Sequence, residues 1–441
     1  MQINKLMKRT AVTLSVCSGL TMASLSTTVQ AQTLEEALRA AQSYVPALAS
    51  QQHSVEAADA RIGVAKSALR PQVRFTANGT VGEFNNNSTR ARGIVGNESN
   101  TSERADLVVT QRLFDFNQSG SQIANAKHLS KAERSSLELV QQNLTLQVVS
   151  AYIDVLRFQE LDQIATQNVQ AGNDIASIID KQVTLGRSAD VEKNLAQSQL
   201  AVTKSQSRRQ AGLLAQARVQ FYQLTGLQAN NLVDLPLLKS VNELYTQRNP
   251  ERINQLLEEL PSIKTANSQL AAANSQRKSA SASRYPTLDL ELFAGQGNDE
   301  NAVLGENDSY GASLNLRWDL YAGGGNKARL RAASSEQAAA QSNVDEEYRL
   351  ARQQVLTAVE ALHATEAELE YLAIEEQANK NVFNTYQQQL TAGRRSPIDV
   401  FVVLNNYNQS RLQLTDALYR QKLEQYSVVS AYGKLTKQLG L

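Results

Sequence analysis

Residues 344–400 read VDEEYRLARQQVLTAVEALHATEAELEYLAIEEQANKNVFNTYQQQLTAGRRSPIDV. A seam of mostly apolar residues runs through this stretch at alternating steps of four and three, visiting Val344, Tyr348, Ala351, Val355, Ala358, Leu362, Thr365, Leu369, Leu372, Glu376, Asn379, Phe383, Tyr386 and Leu390. A sustained seven-residue period is typical of coiled coils. The sequence therefore predicts a helix from about Gly323, roughly 100 Å long at 1.5 Å per residue. At the turn 391–397 the chain is expected to reverse into a second long helix that ends near Leu435.

The same pattern recurs 207 residues earlier, on a seam that visits Leu137, Gln141, Leu144, Val148, Ala151, Val155, Phe158, Asp162, Ala165, Val169, Gly172, Ala176, Ile179 and Val183. The turn recurs too, because residues 185–191 (LGRSADV) match residues 392–400 (AGRRSPIDV). Upstream, the prolines at 46 and 71 match those at 261 and 286. Two Ala/Gln-rich helical regions can align by chance, but paired turns and paired prolines favour a repeat.

We therefore predict two copies of one unit, at about 33–227 and 251–437. The predicted organisation is a signal peptide at 1–31, a first repeat at 32–227, an inter-repeat segment at 228–250 and a second repeat at 251–441. Each repeat reads as helix, β-hairpin, long helix, turn and helix. All seven prolines lie outside the long helical runs, as expected because proline inside a helix costs about 3 kcal/mol.

The first 31 residues have the pattern of a secretory signal peptide. Three basic residues precede the small, apolar stretch Ala11–Ala23, and Val29-Gln30-Ala31 fits the cleavage pattern. The only cysteine, Cys17, lies in this segment. A lipoprotein signal is the alternative, although Val16 stands where a lipidated cysteine favours a small residue. Loss of this segment, which holds three basic and no acidic residues, takes the formal charge from +1 to −2. This nearly neutral balance of charges argues against nucleic-acid binding, which would need a concentrated basic face.

Four stretches alternate with the period of two that places side chains on opposite faces of a strand. Their apolar or small positions are Val73, Phe75, Ala77, Gly79 and Val81; Ala105, Leu107, Val109 and Leu113; Leu288, Leu290, Leu292 and Ala294; and Ala312, Leu314, Leu316, Trp318 and Leu320. Each is about ten residues long, enough for a tilted strand to cross a bilayer. A half-buried soluble hairpin shows the same alternation and is the alternative.

Four strands cannot close a membrane barrel, and an open edge cannot face lipid. The membrane interpretation therefore requires other chains, and three chains would supply twelve strands. The polar hairpin loops at 85–103 and 296–309 would then be exposed.

The sequence carries no recognisable enzyme motif. The three histidines lie far apart without metal-ligand spacing, and no phosphate loop or dinucleotide fingerprint is present. Gly323-Gly324-Gly325 opens a helix, where an anion could bind, but its place between a strand and a helix favours a flexible junction. We predict no enzyme, cofactor or metal site.

The whole predicted mature chain resembles the TolC-like family of outer-membrane channels. The most specific segments are TLEEAL at 33–38, YPTL at 285–288 and GRRSPIDV at 393–400. In the last segment Gly393, Arg395 and Asp399-Val400 match the family pattern, whereas Val402 stands where the family has a second aspartate.

This resemblance implies a mainly helical homotrimer. A twelve-stranded β-barrel, with four strands per chain, would lie in the outer membrane of a Gram-negative bacterium and continue as a helical coiled-coil tunnel into the periplasm. The implied partners are a periplasmic adaptor, an inner-membrane ABC, RND or MFS transporter, the exported cargo and outer-membrane lipid. Residues 228–250 and the C-terminal end would form the equatorial region of the tunnel.

The predicted function is the exit duct of a tripartite export system. The turn at 393–400 favours type I protein secretion with an adhesin-like cargo, and small-molecule efflux is the alternative. A soluble periplasmic coiled-coil scaffold is the alternative of a different class. The resemblance further implies a periplasmic gate at Asp190, Arg395 and Asp399, closed by links between Arg395 and Asp190. The adaptor-docking turns would hold Gly186, Arg187, Ser188, Gly393, Arg394 and Ser396.

Overall fold

The computed structural model describes residues 32–82, 100–235, 237–238, 250–299 and 306–440. The predicted signal peptide lies outside these residues. So do most of the loop predicted at 85–103, the centre of the loop at 296–309 and most of the second half of the inter-repeat segment.

Helices make up most of the described chain, and four strands form one sheet. In chain order the elements are α1 (Leu34–Tyr44), α2 (Pro46–Ser67), β1 (Gln72–Gly82), β2 (Asn100–Phe114), α3 (Gln118–Thr184), α4 (Asp190–Thr225), α5 (Pro250–Leu257), α6 (Pro261–Ala282), β3 (Thr287–Asp299), β4 (Glu306–Arg317), α7 (Gly325–Thr391), α8 (Pro397–Ala431) and α9 (Leu435–Gln438). The predicted fold class, mainly helical with four strands per chain, is confirmed.

The long helices α3 and α7 have 67 residues each. Every position of both predicted seams is buried or half-buried, and most of the other residues of α7 are exposed. A narrow buried stripe on an otherwise polar helix is the pattern of coiled-coil packing. Each long helix pairs with the helix that follows its turn, α3 with α4 and α7 with α8, and α8 also packs against α3. None of the helices in the described ranges is long and apolar enough to span a membrane.

The largest hydrophobic core lies where the short helices meet the middle of the long ones. Tyr152 of α3 is fully buried there and meets Phe221 of α4 edge to face. Its hydroxyl lies 2.9 Å from the carbonyl oxygen of Gln32 and 2.7 Å from that of Val233. Burial raises the pKa of Tyr152 to about 12, so the hydroxyl stays neutral and donates a hydrogen bond that joins the residues just before α1 to the segment after α4.

The sheet has the order β1-β2-β3-β4, and all neighbours are antiparallel. The register places apolar residues side by side on one face, as in the row Val73, Val109, Leu292 and Ala312. The opposite face carries the row Arg112, Asp289 and Asn315, in which the Arg112 and Asp289 side chains form a 3.0 Å ion pair. The predicted alternation is therefore present on adjacent strands in register.

The fourth strand is shorter than the alternation predicts. β4 ends at Arg317, whereas the predicted stretch continues to Leu320. The indole N–H of Trp318, the first residue after β4, donates a hydrogen bond to the carbonyl oxygen of Arg284 at 3.1 Å, in the segment between α6 and β3.

Candidate functional site: the paired helix turns

The turns after α3 and α7 have the same hydrogen-bonded geometry. Gly186 and Gly393 both adopt φ near +68°, which glycine reaches without a steric penalty. The amide of Gly186 donates to Val183 (2.9 Å) and that of Arg187 to Gln182 (2.8 Å). The second turn repeats this pattern from Gly393 to Leu390 (2.9 Å) and from Arg394 to Gln389 (2.8 Å). This is the Schellman arrangement, which satisfies the last carbonyl groups of each long helix and forces the chain to reverse.

A small hydrophobic cluster, which we name the tip cluster, holds the two turns together. Its buried members are Ile175, Ile179, Ala196, Val400, Phe401 and Leu404. These residues come from α3, α4 and α8, and side chains of α7 pack around them. Phe401 is fully buried, and its ring lies over Gly172 of α3, where an added Cβ would be 3.2 Å from the ring. The two predicted docking turns therefore lie side by side at one end of the helical body.

The returning helices α4 and α8 begin with acidic first turns. Asp190 is the first residue of α4, and Asp399 lies in the first turn of α8. Negative charge at this position is favoured by the helix dipole. The hydroxyl of Ser188 donates to the carboxylate of Glu192, also in the first turn of α4. Asp399 is half-buried, whereas Asp190 is exposed.

Arg395 is the centre of the second turn. Its guanidinium lies 3.6 Å from the carboxylate of Asp399, donates to the side chain of Gln389 at 3.2 Å and stands 4.1 Å above the ring of Tyr386. Within one chain these contacts join Arg395 to α7 and α8. The predicted link between Arg395 and Asp190 is not among the ion pairs of the described residues. Both side chains of the Arg395–Asp399 pair are more than a third exposed, so the pair contributes about 0–1 kcal/mol.

A different ion pair, between Lys193 and Asp180, stabilises the first turn. The ammonium group of Lys193 lies 2.6 Å from the carboxylate of Asp180, joining α4 to α3. The hydrogen bond to Asp180 raises the pKa of Lys193, and the nearby charge of Asp190 adds to the effect. The sequence did not predict this pair, because its two residues lie thirteen positions apart on either side of a turn whose geometry the sequence alone does not give. Tyr386 was missed as a functional contact because it reads as a position of the seam, and Gln389 because it reads as one of the many polar residues beside the seam.

The outer surface of the turns is a mixture of basic and apolar groups. Arg187 and Arg394 are exposed, as are Leu185 and Val191. Ser396 is instead half-buried, and its hydroxyl oxygen is buried without a hydrogen-bond partner in the described structure. Ser396 therefore precedes α8 as a packed residue, Ser188 is half-buried as well, and the exposed residues of the two predicted docking turns are Gly186, Arg187, Gly393 and Arg394. No group of His, Cys, Asp or Glu side chains in the described ranges is arranged to hold a metal ion.

Comparison with known proteins places this geometry in a family. A family profile described as "Outer membrane efflux protein" matches residues 37–227 and 252–434. The outer membrane efflux protein BepC of Brucella suis is 24% identical, over 93% of this chain and 87% of its own length. The pyoverdine export outer membrane protein OpmQ of Pseudomonas putida is 26% identical, over 85% of this chain and 82% of its own length.

The fold also matches solved structures. The crystal structure of the CmeC outer membrane channel of Campylobacter jejuni superimposes with a TM-score of 0.80, covering 91% of this chain and 86% of that one at 15% identity. Because the family profile covers both halves of the chain, the family assignment does not depend on one local motif. The chain belongs to the outer membrane efflux protein family and is an outer-membrane efflux channel of the tripartite type, not an enzyme.

Proposed function

We propose that three copies of this chain assemble into one exit duct, with a twelve-stranded barrel in the outer membrane and a helical tunnel in the periplasm. The observation that carries this proposal is the open four-stranded sheet. Its edge strands β1 and β4 each have one unpaired side in the single chain. Apolar side chains such as Phe75 and Leu314 are 68% and 62% exposed on one face. Pairing β4 of one copy with β1 of the next would satisfy the edges and turn this face towards lipid.

The assembly is tested by isolating the protein from its own membrane. We expect heat-resistant trimers in outer-membrane extracts. A monomer in the soluble periplasmic fraction would reject the duct and favour the coiled-coil scaffold.

The tip of the helical body is proposed to dock a periplasmic adaptor. The support is the pair of reversed turns at one end, whose exposed Arg187 and Arg394 flank the packed tip cluster. Arg187→Cys and Arg394→Cys should crosslink to the adaptor in whole cells. Thr80→Cys, exposed on β1, is the matched control and should not crosslink. Crosslinks from Thr80→Cys alone would reverse the proposed orientation.

The same tip is proposed to be the periplasmic gate. Threefold symmetry would bring three copies of Asp399 around one axis, and like charges held together attract cations. Since Arg395 pairs with Asp399 inside one chain, its link to Asp190 would have to form between neighbouring copies or by exchange of partners. Each such link is weak, so the closed state would also need the packing of the tip cluster.

The cargo is proposed to be a protein exported by a type I system through an inner-membrane ABC transporter, on the resemblance of GRRSPIDV at 393–400. The competing proposal is small-molecule efflux with an RND, MFS or ABC pump, which the name of the pyoverdine exporter supports. A strain that lacks this protein distinguishes the two proposals. Loss of one secreted protein from the medium, with unchanged sensitivity to dyes and drugs, supports protein secretion. Increased drug sensitivity with a complete secretome supports efflux.

A further inference from the structure

Exposed aromatic side chains collect at the end of the sheet that continues into the helices. Phe114 ends β2, and its ring meets that of Phe116 edge to face, with centroids 4.8 Å apart. Phe116, whose φ of 52° is left-handed, is stacked on Tyr285 at 4.8 Å. These three residues, together with Trp318 and Tyr321, are 43% to 86% exposed. Exposed aromatic residues at the end of a sheet are typical of the level at which a membrane barrel meets the lipid headgroups.

The helix ends that adjoin these rings are rich in cations. Eight exposed basic residues lie at the ends of α2, α6 and α7 or in the segments that lead from them into the strands: Lys66, Arg70, Arg277, Lys278, Arg284, Lys327, Arg329 and Arg331. Over the same level of the chain (64–71, 115–124, 276–286 and 318–331) the carboxylates are those of Asp115 and Asp319. Asp115 is only 6% exposed and accepts the amide hydrogen of Ser119 at 2.8 Å. One exposed acidic residue therefore faces eight cations.

These cations have no carboxylate partner of their own. None of the eight takes part in an ion pair among the residues that the structure describes, whereas cations elsewhere on the helices do, as Arg134 does with Asp59 at 2.9 Å. The guanidinium of Arg284 donates instead to Ser281, at 3.3 Å to its carbonyl oxygen and 3.0 Å to its hydroxyl. Positive charge that is concentrated at one level and not neutralised within the chain attracts anions.

Six of the eight cations belong to the second repeat and form a group that we name the base cluster: Arg277, Lys278, Arg284, Lys327, Arg329 and Arg331. The helices that carry them, α6 and α7, pack against each other, and the strands that join these helices to the sheet, β3 and β4, are neighbours. Its most distant members lie five and six residues from the helix ends next to the sheet, about 8–9 Å along a helix. Long basic side chains reach from there into a headgroup layer that is about 5–8 Å thick on each side of a bilayer.

The helix itself does not require the charge of the base cluster. Gly120, Gln122 and Ala124 of α3 stand where α7 has its three cations, and the two helices have equal length. The first turn of α7 contains no acidic residue, and Lys327 lies in it. A cation at the N-terminal end of a helix is disfavoured by the helix dipole. An anion from outside the chain would offset that cost.

We propose that the base cluster binds the phosphate groups of anionic phospholipids, such as phosphatidylglycerol, in the leaflet that faces the helical body. Guanidinium and ammonium groups form charge-assisted hydrogen bonds with phosphate, and the exposed aromatic rings contact the lipid at the same level. Each basic residue close to an anionic membrane surface strengthens the attraction about fivefold. This inference rests on the proposed function, because a sheet that crosses the bilayer brings the headgroups to this level.

Trp318 is a built-in reporter of the lipid at this site. It is the only tryptophan of the chain, and its indole N–H donates to the carbonyl oxygen of Arg284 at 3.1 Å. The assembled protein is placed in phosphatidylcholine vesicles in which part of the lipid is brominated phosphatidylglycerol or, in parallel, brominated phosphatidylcholine. Bromine quenches tryptophan fluorescence at short range, so the two series give the relative binding constant of the two headgroups beside Trp318.

We expect phosphatidylglycerol to bind about fivefold more tightly than phosphatidylcholine at about 0.05 M salt, and this preference to fall towards one at about 0.5 M salt. The triple variant Arg284→Gln, Lys327→Gln and Arg331→Gln should lose most of the preference. Its quenching by brominated phosphatidylcholine should stay unchanged, because the position of Trp318 in the bilayer does not depend on these charges.

The matched control removes the same charge from exposed positions far from the sheet, by Lys181→Gln, Arg218→Gln and Lys380→Gln, and should keep the preference. Equal binding of the two lipids by the native protein, a preference that the triple variant leaves unchanged, or one that the control loses equally would overturn the inference. The salt titration of the native protein decides the case if the triple variant does not insert. Absence of quenching by both lipids would reject the proposed duct as well, whereas equal quenching by both would reject the lipid preference alone.

Discussion

Replacing Leu292 with arginine is expected to destabilise the inserted sheet by about 2–4 kcal/mol, the cost of an arginine on the lipid face at the bilayer midplane. Leu292 lies near the middle of β3, opposite Val109 of β2 and Ala312 of β4 on the apolar face. It is 45% exposed in the single chain, so its side chain reaches the surface of the sheet.

The same substitution at Leu316 should cost much less, because that residue lies near the end of β4. Leu316 is opposite Leu288, four residues from Leu292 along β3. That separation is about 13 Å along a strand and about 10 Å along the membrane normal at a strand tilt near 40°. Half of the usual apolar band is about 12 Å, so Leu316→Arg places its charge close to the interface, at about 0–1 kcal/mol.

Folding into lipid vesicles, followed across a urea titration, measures these differences as free energies of unfolding. The matched control is Ser313→Arg, one residue from the Leu292 row but on the polar face, opposite Glu291. Ser313→Arg should change the free energy of unfolding much less than Leu292→Arg, and so should Asn315→Arg, which lies opposite Asp289 on the same polar face. Equal destabilisation by Leu292→Arg and Ser313→Arg would refute the assignment of faces. A larger effect at Leu316 than at Leu292 would refute the assignment of depth.

Three further perturbations test the helical body. In planar-bilayer recordings of the trimer, Asp399→Ala should reduce divalent-cation block and Arg395→Ser should raise conductance; a tip that is not the constriction would show neither. Burial raises the pKa of Glu424, so the folded protein binds its proton more tightly than the unfolded chain and loses stability as pH rises above the ordinary value of 4.5. Glu424→Gln should flatten that dependence and raise Tm at pH 7, as measured by thermal melts at several pH values; an unchanged pH profile would contradict it. Tyr152→Phe should cost about 0.5–1.5 kcal/mol, because the hydroxyl of this buried residue no longer bonds the part-buried carbonyl groups of Gln32 and residue 233. Chemical denaturation measures that cost, and a neutral result would show that water replaces the hydroxyl.

Local periodicity was enough to place most of the elements. The seams predicted both long helices because their period follows from helix geometry and needs no knowledge of the partner. The prolines marked boundaries because they cannot continue a helix, and α2, α6 and α8 begin at Pro46, Pro261 and Pro397. The period of two likewise predicted four strands and the face of each residue.

The candidate site could be predicted only in part. The sequence predicted the two reversals, because glycine in a left-handed conformation is a local requirement of the turn. The partner of Arg395 was not predictable in the same way. A long side chain can reach several carboxylates; Asp399 lies only four positions away, whereas the ring of Tyr386 comes within reach only because α7 packs against α8.

Contacts between distant segments were decided by the tertiary structure alone. The pairing of β2 with β3 joins the two halves of the chain, and no local pattern specifies which strands become neighbours. The alternation likewise does not reveal that β4 ends at Arg317 or that Trp318 bonds to residue 284. The stacking that holds Phe116 in a left-handed conformation likewise requires Tyr285, brought from the other repeat. Periodicity therefore determined the elements and their faces, whereas side-chain partners depended on which elements the folded chain brings together.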